Sequence, residues 1–147
     1  VRGYNITSGY FNNPEATKEA IDEEGWLHTG DIGILDERGY IKITDRSKDM
    51  FIVGGFNAYP AEIENILCDH PAISQAAVIG IADDRMGEVA KAFIVLKPSQ
   101  NLDVDTLIKW CKDNMANYKV PREIEFTQDL PTNAAGKVMK YVLKDGS

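Results

Sequence analysis

Apolar positions along this chain recur first at helical spacing, then in alternation, and each change of period marks an element. After Asn13-Pro14-Glu15, which suits a helix start because Pro and acids are favoured in the first turn, Ala16, Ala20 and Ile21 form a helical stripe that Gly25 is expected to end. Ile32 and Ile34, then Tyr40, Ile41 and Ile43, flank Asp36-Glu37-Arg38-Gly39 and predict a β-hairpin. Met50 to Val53 reads as a further short strand, broken by Gly54-Gly55. From Pro60 the period is helical again, with Ile63, Ile66 and Leu67 on one face, Glu62 and Glu64 near the positive end, and His70-Pro71 as the stop. Ile73 to Ile81 and Ala90 to Leu96 are paired strands around the turn Asp83-Asp84-Arg85-Met86-Gly87. Asp103 caps a second helix carrying Val104, Leu107, Ile108, Cys111 and Met115. A short strand at Glu123 to Phe126 and a short helix at Val138 to Leu143 complete the pattern.

From residue 50 onward the order is strand, helix, strand, strand, helix, strand, helix. This predicts an α+β fold, a small sheet with packed helices. Residues 1–45, which hold the hairpin, do not complete a domain alone. The polar stretch at residues 46–49 is the expected hinge, and residues 50–147 form the expected second domain. Val1-Arg2-Gly3-Tyr4 reads as the middle of a strand, so the chain is expected to be a piece of a longer protein.

Composition narrows the function classes. The 147 residues are 44% apolar and 27% charged, ordinary for a globular protein with a normal core. A net charge of −7 argues against nucleic acid as the main partner, which needs a dense basic surface. It leaves room for a nucleotide held by a few local groups. Cys68 and Cys111 lie in helical apolar patterns and are expected to be buried free thiols. His28 and His70 stand apart and no metal-ligand cluster is present, so no metal site is expected. No apolar run approaches the ~18 residues that span a bilayer. Trp26 and Trp110 are read as packing residues rather than base-stacking ones, and Tyr59 is evenly balanced between packing and lining a tunnel.

Three segments carry the chemistry: Thr29-Gly30-Asp31; Asp45-Arg46-Ser47-Lys48-Asp49 followed by Gly54-Gly55-Phe56-Asn57-Ala58-Tyr59-Pro60; and Leu130-Pro131-Thr132-Asn133-Ala134-Ala135-Gly136-Lys137. Together, in this order, they resemble the C-terminal end of the adenylate-forming enzymes, the superfamily of acyl-CoA synthetases, luciferases and peptide-synthetase adenylation domains. The resemblance runs from about Gly9 to Lys144 and is nearest to fatty-acyl-CoA ligase-like members. Residues 1–45 then correspond to the distal end of the large N-terminal AMP-binding domain, and residues 50–147 to the mobile C-terminal domain.

The resemblance implies a role for each motif residue. Lys137 would bridge the carboxylate and the α-phosphate during adenylation, where negative charge concentrates and a positioned cation is needed. Lys137 is expected on a mobile arm, in a segment too small and polar to be core. Asp31 would hold both ribose hydroxyls, since a carboxylate can accept from two vicinal O–H groups. Arg46 would contact ribose or phosphate through its fork of donors, the alternative being an ion pair with Asp45 or Asp49. Lys48 matches the hinge position about which the C-terminal domain rotates between half-reactions. Gly54 and Gly55 would then line the path of the CoA pantetheine thiol. Two departures stand out: Ile52 and Gly54 occupy places where many ligases and luciferases carry lysines, and Ala135 stands where Thr or Ser is common.

The function so implied is that of an ATP-dependent acyl-CoA synthetase, an acid–thiol ligase of fatty acid metabolism or a related pathway, cytoplasmic, using ATP, Mg²⁺ and CoA. Its partners would be ATP or AMP, the acyl substrate and CoA, met through an N-terminal domain not in this sequence. None would be bound tightly by this piece alone, which is expected to be inactive. The alternatives are an adenylation domain loading a carrier-protein pantetheine, and a non-catalytic α+β interaction module.

Overall fold

The computed structural model describes residues 1–145. The chain divides into two compact units, Val1–Ser47 and Lys48 onward. The first holds α1 (Pro14–Ala20), β1 (Asp31–Leu35) and β2 (Ile41–Arg46). Asn13 caps α1 by accepting from the Ala16 N–H at 3.1 Å. The helix stops at Ala20, well before Gly25, because Ile21 leaves for an extended bridge with Leu27. Gly25, at φ +80°, instead serves the turn that follows, where Asp22 Oδ1 accepts from the Glu24 and Trp26 N–H groups. Those bonds, that from Trp26 foremost, hold the Asp22 carboxyl below its ordinary pKa. Val1 and Leu27 exchange backbone hydrogen bonds at 2.8 Å, although Val1 to Tyr4 form no strand.

β1 and β2 pair antiparallel, with Asp31 opposite Arg46 and a bulge at Ile32/Gly33. Asp36 closes their turn by accepting from the Arg38 and Tyr40 N–H groups. Ile34, Leu35, Tyr40, Ile41 and Ile43 all remain more than half exposed. Both faces of this hairpin are therefore apolar.

The second unit holds β3 (Phe51–Val53), β4 (Phe56–Ala58), α2 (Pro60–Cys68), β5 (Ile73–Asp83), β6 (Gly87–Leu96), α3 (Val104–Asn114), a 3₁₀ turn (Asn117–Lys119), β7 (Glu123–Phe126) and α4 (Lys140–Asp145). This is the expected α+β layout, a five-stranded sheet with helices packed on it. β5 pairs antiparallel with β6 along its whole length. The other edge of β6 is shared: β3 pairs at Val53↔Gly87, and β7 runs parallel beside Lys91–Ile94. Parallel neighbours need a crossover, and α3 supplies it between β6 and β7.

Alternation along β5 and β6 sends side chains to two cores. One packs Val78, Ala92 and Ile94 with Ile63 and Leu67 of α2 and Leu107 and Cys111 of α3. The other gathers Ala77, Ile79 and Phe93 with Leu130 and, partly buried, Val138 and Leu143 from the end of the chain. Burying a side chain such as Ile63 or Leu67 contributes roughly 1.5–3 kcal/mol. Cys111 is the buried thiol expected, and burial pushes its pKa up to about 11. Cys68 departs from expectation. It is exposed, because it is the last residue of α2 and lies off the stripe of Pro60, Ile63 and Leu67.

Two further elements differ from the sequence reading. β4 was not foreseen: Gly54 and Gly55, at φ +57° and +90°, make a two-residue hairpin turn that returns the chain as Phe56–Ala58 beside β3. Val138 lies in a bridge to Thr132, so α4 begins two residues later, at Lys140.

Phe51 packs directly on Gly80 of β5. A Cβ at Gly80 would stand 2.6 Å from Phe51 Cβ and 2.7 Å from its Cγ. Gly80→Ala is therefore expected to destabilise the chain by about 1–3 kcal/mol, since Phe51 is itself buried and cannot retreat. Urea denaturation measures this, and an unchanged midpoint would disprove the close approach.

Candidate active-site residues

Asp31 and Arg46 meet across the hairpin register, with Arg46 Nε 3.5 Å from Asp31 Oδ1. Their side chains are 28% and 58% exposed, so the pair itself adds at most about 1 kcal/mol to stability. The Thr29-Gly30-Asp31 turn is shaped by Gly30 at φ +73°, by the Asp31 N–H donating to Thr29 Oγ1, and by the Ser47 N–H donating to Gly30 O. The Arg46 guanidinium therefore has an ion-pair partner in Asp31, across the hairpin. Asp45 is buried, and its Oδ1 accepts from the Arg46 backbone N–H at 2.6 Å. Chemically, Asp31 and Arg46 place hydroxyl-accepting oxygens beside a guanidinium, a combination suited to a vicinal diol next to a phosphate.

Lys137 is exposed and makes no ion pair among the described residues. Its backbone is closed into a hydrogen-bonded loop. Thr132 bridges Val138, the Asn133 N–H donates to Lys137 O, and the Met139 N–H donates to Pro131 O at 2.7 Å. Asn133 Oδ1 accepts from the N–H groups of both Ala135 and Lys137, at 3.0 and 2.9 Å. Gly136 completes the turn at φ +78° and donates to Asn133 O. Leu130 and Val138 seat the base of the loop in the second core. The organising role of Asn133 was missed at the sequence level. Its signal is an Asn three residues before a Gly, the pattern of a side chain that mimics a backbone turn.

Lys48 is an exposed turn residue between β2 and β3 and the first residue of the second unit. Gly54 and Gly55 are exposed at the tip of the β3–β4 hairpin. The turn alone demands both glycines' conformations, and at Gly54 a Cβ would also stand 2.5 Å from Met86 Cε. His28 is held by Asp22 at 3.0 Å. His70 accepts from the Ala72 N–H and meets Trp110 edge-on. Trp26 is exposed and carries the Arg2 guanidinium on its ring. Tyr59 is half-buried and immediately precedes α2. Among the described residues no group of three or more His, Cys, Asp or Glu could hold a metal ion. No helix among them is long and apolar enough to cross a membrane.

Residues 62–137 match the model of the AMP-binding enzyme C-terminal domain, and the chain belongs to that family. It is 54% identical over 145 residues to the 3-[(3aS,4S,7aS)-7a-methyl-1,5-dioxo-octahydro-1H-inden-4-yl]propanoyl:CoA ligase of Rhodococcus jostii, covering 99% of this chain and 28% of the ligase. Its fold matches ATP-bound MatB from Rhodopseudomonas palustris with a TM-score of 0.93 at 38% identity, over 99% of this chain and 29% of that one. It also matches o-succinylbenzoate CoA synthetase from Bacillus subtilis in complex with its acyl-adenylate intermediate, with a TM-score of 0.89 at 39% identity, over 98% and 29%. The chain thus spans less than a third of the length of the relatives it matches.

Asn133→Ala removes the acceptor of two loop N–H groups that water can partly replace. Global stability is expected to fall by no more than about 1 kcal/mol. The amides of Ala135 and Lys137 should exchange with solvent distinctly faster. Unchanged exchange at those two amides, read by NMR, would mean that Asn133 does not organise the loop.

Proposed function

We propose that this chain is the C-terminal part of an ATP-dependent acyl-CoA synthetase. In the first half-reaction a carboxylate oxygen attacks the α-phosphorus of ATP, forming acyl-AMP as pyrophosphate leaves. In the second the CoA thiol, losing its proton, attacks the acyl carbon and AMP leaves, giving the thioester. The observation that carries this reading is the end-to-end likeness to CoA ligases together with an unpaired lysine presented on a built loop.

In this reading Lys137 neutralises charge on carboxylate and α-phosphate oxygens in the first transition state. Asp31 accepts from the ribose hydroxyls, and Arg46 keeps its Nη donors for ribose or phosphate. Lys48 is the hinge, with residues 1–45 belonging to the AMP-binding domain, 46–49 linking, and 50–147 acting as the mobile domain. The Gly54-Gly55 turn is the part that approaches the thiol. The two apolar faces of the β1–β2 hairpin support its membership of a larger sheet, since a strand buried on both faces reads as continuously apolar. Mg²⁺ would arrive with the ATP phosphates, and no residue of this chain is assigned to it. In this reading the protein is cytoplasmic, and its substrate is a carboxylic acid of fatty, aromatic or steroid-derived type. The chain by itself would be inactive.

The test uses the full-length protein with ATP, Mg²⁺ and a panel of carboxylic acids, following AMP release with and without CoA. CoA-dependent AMP release is the expected result. Pyrophosphate exchange indifferent to CoA would point to a carrier-protein acceptor instead, and no exchange with any acid would favour a non-catalytic module. In the same protein Lys137→Ala is expected to lower acyl-AMP formation by roughly 10²–10³-fold. Thioester formation from supplied acyl-AMP should persist. Normal acyl-AMP formation by the variant would remove Lys137 from the mechanism.

A further inference from the structure

We infer that Glu64 and Lys140 form a clamp that positions Lys137, making both of them positioning residues for the adenylation step. This rests on the functional reading above. Lys140 Nζ lies 2.7 Å from Glu64 Oε1, and the two side chains are only 20% and 19% exposed. The same oxygen accepts from the Val78 N–H at 2.8 Å. One carboxylate therefore ties together α2, β5 and the first residue of α4.

Three features make this more than an ordinary ion pair. The first is local: a cation at the start of a helix opposes the helix dipole, and α4 has no acidic residue in its first turn. Lys140 breaks the local preference, and its tertiary partner Glu64 supplies the compensation. The second is the length of α4, six residues, too short to hold its place by helix formation alone. Its position comes from the Glu64 contact and from Leu143 in the second core. The third is covalent reach. Only Val138 and Met139 separate Lys137 from Lys140, which limits the distance between their Cα atoms to about 10 Å. Val138 is itself bridged to Thr132. The Lys137 backbone is thus held from Asn133 on one side and from Lys140 on the other, and through Glu64 it is referred to the sheet.

Because the clamp works through placement, its loss should be felt where Lys137 acts and not elsewhere. In the full-length protein, Lys140→Met keeps the aliphatic stem and removes the charge. Glu64→Gln keeps an acceptor for the Val78 N–H and weakens the pair, so it serves if the first variant folds poorly. Both are expected to lower kcat for acyl-AMP formation by roughly ten- to a hundredfold. KM for ATP and thioester formation from supplied acyl-AMP should stay within about twofold, an allowance small beside the cost of misplacing a reacting group. Lys140→Arg should restore most of the rate. Amide exchange across residues 133–139 should rise in Lys140→Met. Unchanged kcat and unchanged loop exchange would overturn the clamp. So would equal losses in both half-reactions that track a lowered melting temperature, the mark of a merely structural pair. If the wild-type protein activates no acid, the functional reading fails separately. The exchange measurement then still decides whether the clamp holds the loop.

Discussion

A strand has two edges, and β6 uses both along most of its length. β5 takes one edge entirely, while β3 and β7 divide the other. This places β6 at the centre and leaves the outer edge of β5 to be covered by something other than a strand. An uncovered edge presents backbone donors that invite another chain. Here α2 lies along β5, and Glu64 accepts from the Val78 N–H on that edge. The same carboxylate holds Lys140, so covering the edge and placing the end of the chain are one arrangement. The fold and the candidate chemistry share this carboxylate.

Lys91 shows how the other edge of β6 is matched electrostatically. Its ammonium lies 3.8 Å from Glu123 and 3.4 Å from Glu125 on β7, with the Lys91 side chain only 13% exposed. Placing an ammonium so deep is costly unless such partners face it. Lys137, in the polar segment after Asn133, has none among the described residues. The contrast separates a lysine that belongs to the sheet from one free to meet a ligand.

Much of the second unit was legible because its elements follow simple periods. The stripe of Ile63 and Leu67, the Asp103 cap and the strand Glu123–Phe126 appear where spacing and capping chemistry put them. β4 escaped because Phe56–Ala58 is three residues long, too short to show alternation. Only the paired positive-φ glycines before it signal a hairpin. β5 and β6 run further into the Asp83–Gly87 stretch than an apolar count suggests, since Asp83 and Gly87 still pair as strand residues. Cys68 followed a helical pattern yet lies outside the buried stripe, a distinction of one position that periodicity resolves poorly. The identities of Asp31, Arg46 and Lys137 were legible as motif residues. What held them was not. Asn133 acts through two backbone N–H groups, and Glu64 and Lys140 are distant in sequence and meet only through tertiary structure.

The closed loop under Lys137 changes how a two-step reaction would be run. A lysine on a loose arm would sample many positions, and each productive encounter would cost conformational entropy again. A lysine on a loop fixed by Asn133 at one side and Lys140 at the other keeps its position relative to the sheet. To serve one half-reaction and be absent from the next, such a group must travel with the body that carries it. A rigid body turning on a few backbone angles meets that requirement, because the angular change is confined to the hinge while hydrogen bonds within the body survive. The core of this unit, packed on both sheet faces, gives it the rigidity for that task. In the proposed reading that hinge is the turn at Lys48, which is exposed and outside helix and strand.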